Sequence, residues 1–135
     1  MGAWSVGSFE NDDALDFLAE ITESDDLSLI RKVFDNVITS TEYVEAPDAC
    51  QAIVGAEIIA AAIGRPTAEA QQNTSLNQWL TQIQPTIDNA LIVQAIEALT
   101  LILAPNSELR ELWEDSEYYA EWKSAMIELR QQLEA

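Results

Sequence analysis

The chain has 135 residues, 48% hydrophobic and 22% charged, a balance that fits one globular domain and not a disordered chain. It carries 24 Asp and Glu against 6 Lys and Arg, a net charge of −18, and no histidine. These numbers exclude a reader of phosphate backbones, a binder of anionic lipid surfaces and any chemistry built on imidazole.

Residues 1–10 form a Gly-containing lead-in with two aromatics, Trp4 and Phe9. Asn11-Asp12-Asp13 then supplies an N-cap and first-turn acids, and Leu15, Leu18 and Ile21 follow at helical spacing. A second helix begins near Ser24-Asp25-Asp26, with an apolar stripe of Ile30, Val33, Phe34, Val37 and Ile38. A third runs from Pro47 to Gly64; its middle, Ala52 to Ile63, is apolar almost all round, which marks a central helix.

Residues 65–74 are polar and read as a loop. A shorter helix carrying Leu76, Trp79, Leu80 and Ile83 ends before Pro85. Ile87 to Leu103 bears two adjacent apolar stripes and reads as the second central helix, closed by Pro105. A short helix through Leu109, Leu112 and Trp113 follows, then a last one from about Ser116 with Tyr119, Trp122, Met126, Leu129 and Leu133 in a seam. No strand-like alternation competes. The expected fold is a single all-α domain over residues 1–135: a compact bundle of about six or seven helices with two central apolar helices and an ordered lead-in packed on it.

Cys50 cannot pair internally and lies in an apolar stretch, so it is expected to be a buried small hydrophobe in a reducing compartment. Residues 1–6 lack the basic and apolar regions of a secretory leader, and no apolar run reaches bilayer length. The expected location is the cytoplasm.

The stretch from Gly2 to Phe17, GAWSVGSFENDDALDF, resembles the opening of a bacterial family known as domain of unknown function 4259. Two later segments resemble it too: Ala52 to Ala61 followed by Gly64-Arg65-Pro66, and Ser107 to Glu114 followed by Trp122. One departure is Ser5, where the family pattern has glycine. The resemblance implies a fold but no activity.

Glu57 is the residue hardest to place at a surface, because its helix neighbours are Ile53, Val54, Ala60 and Ala61. A buried carboxyl must find donors or hold its proton. Arg110, a tryptophan indole, or backbone N–H groups of residues 2–7 are the candidate donors, and Glu57 is expected to latch the lead-in onto the central helix. The latch or ligand site would comprise Trp4, Gly7, Phe9, Asn11, Asp12, Asp13, Glu57 and Arg110. A weaker expectation joins Asp12, Asp13, Asp16 and Glu57 as an oxygen-only site for a divalent cation, although first-turn acids also serve the helix dipole. Glu108, Glu111, Glu114 and Glu117 recur every three residues and read as a solvated acidic face.

No cofactor and no catalytic residue is expected. The leading functional expectation is a non-enzymatic domain that binds a basic protein partner or forms a homo-oligomer, with no nucleic-acid or membrane partner. The alternatives are a carboxylate–metal hydrolase and an acidic mimic of nucleic acid.

Overall fold

The structure is a computed structural model that describes residues 7–9, 11–40 and 42–134. Among them are eight α-helices and no strand: α1 Asp12–Thr22, α2 Ser28–Ile38, α3 Ala46–Ala62, α4 Ala68–Gln71, α5 Thr74–Ile83, α6 Asn89–Ile102, α7 Glu108–Glu114 and α8 Tyr119–Glu134. The architecture is an all-α bundle, with one helix more than the expected range because the polar stretch 65–74 contains α4.

Five of the helices start on a side chain that accepts the backbone N–H three residues on. Asn11, Thr67, Asn73, Asp88 and Ser107 do this for Ala14, Ala70, Leu76, Leu91 and Arg110, satisfying donors that a helix start leaves unpaired. Gly64, with φ +84°, ends α3 in the left-handed conformation that glycine adopts without steric cost.

α3 is the hub and packs on α1, α2, α4, α6, α7 and α8. Every residue from Ala52 to Ala60 in that helix is buried, Glu57 included. Gly55 permits the close approach of α2, since a Cβ there would stand 3.1 Å from the Phe34 ring. Phe34, Ile58 and Ile59 are fully enclosed, each side chain contributing roughly 2 kcal/mol by burial. α6 packs on α2, α3 and α8 through Leu91, Ala95, Ala98, Leu99 and Ile102 but keeps Val93, Glu97 and Thr100 in solvent.

In α1 the buried stripe is Ala14, Phe17, Leu18 and Ile21, which leaves Leu15 exposed, contrary to its expected place in the stripe. Trp113 and Trp122 are core residues, their rings stacked with centroids 6.4 Å apart. No helix among the described residues is long and apolar enough to cross a membrane.

Candidate functional site

Glu57 lies in the middle of α3 and is 2% exposed. Its carboxyl Oε1 accepts a hydrogen bond from the Thr67 hydroxyl at 2.7 Å, and the Ser8 side chain also hydrogen-bonds to it. Burial pushes its pKa up to about 7; the Ser8 and Thr67 hydroxyls oppose that shift, and the nearby carboxylates of Glu69 and Glu128 add to it.

Thr67 has two uses here. Its hydroxyl oxygen accepts from Ala70 N as the cap of α4 while its O–H serves Glu57. α4 in turn points Glu69 back at the lead-in, where Oε2 accepts from Ser8 N at 2.8 Å and Oε1 from Phe9 N at 2.9 Å. Phe9 is buried in the core. Gly7, Ser8, Thr67, Glu69 and Glu128 border a cavity of about 140 Å³ beside Glu57.

The expected latch therefore takes a different form. Glu57 and Gly7 do meet at one cavity, and Phe9 anchors the segment. Trp4 lies outside the described residues, as do the rest of residues 1–6 and Glu10. Asn11 caps α1 and does not reach the cavity's lining.

Arg110 is not the donor to Glu57. Its Nε donates to Glu114 at 3.2 Å and its Nη1 to the Leu103 carbonyl at 2.8 Å, so it closes the C-terminus of α6. A cation would have held Glu57 ionised; the neutral hydroxyls also favour its charged form, but burial outweighs them.

Asp12, Asp13 and Asp16 are exposed on α1, and Glu57 does not join them. Among the described residues no group of three His, Cys, Asp or Glu side chains is arranged to hold a metal ion. The four-carboxylate cation site expected from the sequence is not assembled.

The residues that sequence reasoning missed are Ser8, Thr67, Glu69 and Glu128. For two of them a signal existed: Thr67-Ala68-Glu69 is a capping hydroxyl followed by a first-turn acid.

A family model described as a domain of unknown function (DUF4259) matches residues 2–125. The chain belongs to this family. No curated protein and no solved structure matches it. The match spans α1 to α7 and the first part of α8, so every residue of the corner except Glu128 falls within it.

Elsewhere in this DUF4259 domain, the acidic row that starts on α7 and runs past its end is not uniform. Glu111, Glu114 and Glu117 are exposed, but Glu108 turns to accept Ala46 N at 2.7 Å, at the start of α3. Beside it Val44 pairs with Ser107 in an isolated parallel bridge, through Val44 N to Asn106 O and Glu108 N to Val44 O, both 2.9 Å. Tyr43 is 43% exposed next to this bridge. Partial desolvation and a hydrogen bond to Glu111, with Glu108 and Glu45 near, push Tyr43 up to about 12. Cys50 is buried and free, and burial raises its thiol to about 12 with a further push from Asp13, so it is a poor nucleophile.

Proposed function

We propose that this domain is a non-enzymatic interaction module that binds a basic protein surface in the bacterial cytoplasm. The observation that carries this reading is uncompensated charge. Against a net charge of −18, only two ion pairs form among the described residues, Arg31–Asp88 and Arg110–Glu114, each 3.2 Å. Such a surface attracts and orients a cationic partner and repels copies of itself, so a basic partner is favoured over a homo-oligomer.

Tyr43 supports a location for the contact. Its half-exposed ring stands among Glu45, Glu108 and Glu111, a setting that suits a lysine or arginine side chain. The single buried thiol fits a reducing compartment.

The test is capture of partners on the full chain from its native cells, followed by titration of the purified partner at two salt concentrations. The expected partner is basic, and its affinity falls at least ~10-fold between ~50 and ~500 mM salt. A partner held equally well at both, or a chain that pairs only with itself, overturns the reading.

A further inference from the structure

The corner around Glu57 contains chemistry that the interaction reading does not use. Three carboxyl groups, Glu57 from α3, Glu69 from α4 and Glu128 from α8, border one small cavity, and among the described residues no lysine or arginine borders it. Arg65, which leads towards α4, instead reaches the Gln132 carbonyl at 3.4 Å. Among the described residues, the charged groups and hydroxyls that act on Glu57 include two like charges, Glu69 and Glu128, and two neutral hydroxyls, Ser8 and Thr67, with Gly7 also lining the cavity.

The same corner holds Ser8 and Phe9. Ser8 is gripped twice, by its N–H on Glu69 and by its side chain on Glu57. Thr67 ties Glu57 to the start of α4, and α4 carries Glu69. Any change in the charge of Glu57 therefore reaches Ser8 and Phe9 along two short routes.

The surroundings decide which parts yield. α3 has 17 residues and is enclosed, and α8 has 16 and is anchored in the core by Trp122, Met126, Leu129 and Leu133. α4 has four residues, of which only Ala70 is buried, and it packs on α3 and α5. If a charge forms inside the cavity, water must enter or the like charges must separate. The part that can move at least cost is α4, which carries Glu69 away from the Ser8 and Phe9 N–H groups while the Phe9 ring stays anchored in the core.

We propose that the Glu57 carboxyl is a proton-operated catch for residues 7–9: neutral, it lets Glu69 hold them on the bundle; ionised, it loosens them together with α4. The direction follows from burial: a charge at this enclosed site draws in water, and repulsion from Glu69 and Glu128 adds to the opening. Together they outweigh the tighter grip of the Ser8 and Thr67 hydroxyls on the ionised carboxyl. The segment is held on the acid side and loosened on the alkaline side. Burial of Glu57 raises its midpoint to about 7, which places the change near neutrality. The catch works whether or not a partner is bound, so its failure and the failure of the interaction reading are separate results.

The test is an amide NMR titration of the full chain from pH ~5.5 to ~8.5, following the Ser8 and Phe9 N–H signals. In the wild type both signals are expected to titrate together with a midpoint near 7. Their exchange with solvent, corrected for the intrinsic pH dependence, should rise at least ~10-fold on the alkaline side. Glu57→Gln, which fixes the neutral form, should leave both signals flat and protected throughout. Glu128→Gln, at an exposed position that leaves the fold intact, should move the midpoint down by removing one like charge. Ser8 and Phe9 signals that ignore pH in the wild type, or that titrate unchanged in both variants, overturn the proposal.

Discussion

At one corner of the bundle Glu69 holds the backbone N–H groups of Ser8 and Phe9; at another, Glu108 holds that of Ala46. Both are acidic side chains from the first turn of a short helix, and both reach a segment some 60 residues away in sequence. What lies behind each differs. Glu108 is backed by the Val44–Ser107 bridge, whose backbone hydrogen bonds persist without it. Glu69 is backed by a buried carboxyl that repels it once ionised. A carboxylate that grips a backbone is redundant in the first setting and conditional in the second.

The largest expected effect is on the pH dependence of stability. Folded Glu57 keeps its proton up to about 7, whereas its ordinary value is 4.5. The stability this adds is complete below the ordinary value and is lost as pH rises through 7. Across that window the loss is roughly 3 kcal/mol. General repulsion among the acids acts in the same direction, so the comparison must be with Glu57→Gln. Urea unfolding at pH ~5 and ~8 should show nearly equal stabilities at the lower pH and a more stable variant at the higher one.

Next comes Glu69→Ala, which removes both charge-assisted bonds to the lead-in and is expected to cost about 2 kcal/mol. Limited proteolysis should then cut near residues 7–9. Glu108→Ala should cost less than about 1 kcal/mol in the same unfolding assay, because the bridge remains. If the two substitutions cost the same, the contrast between the corners fails. The smallest structural effect is expected for Tyr43→Ala, which should leave the unfolding midpoint unchanged and weaken capture of a basic partner. A substitution that unfolds the chain would mean that Tyr43 supports the bridge instead.

Most of the helical framework was legible because its apolar spacing is strong. Ala52 to Ala60 announces an enclosed helix, and Glu57 stands out within it as the one acid. α4 was not legible, since four residues with one buried alanine give no period to read. Glu69 was missed with it. Arg110 is one of three candidate donors that the sequence offers Glu57, but spacing does not say which distant donor arrives, and two hydroxyls do. Leu15 shows the same limit at smaller scale: a spacing of three fits two neighbouring faces of a helix, and Phe17 rather than Leu15 turned inward.

The most direct measurement is a carbon-13 titration of the Glu57 side-chain carboxyl in the folded full chain. The expected midpoint is near 7, with the neutral acid present in the held form. A midpoint at or below the ordinary value of 4.5 would mean that Glu57 is ionised throughout, and would contradict both the catch and the physical reading of this corner.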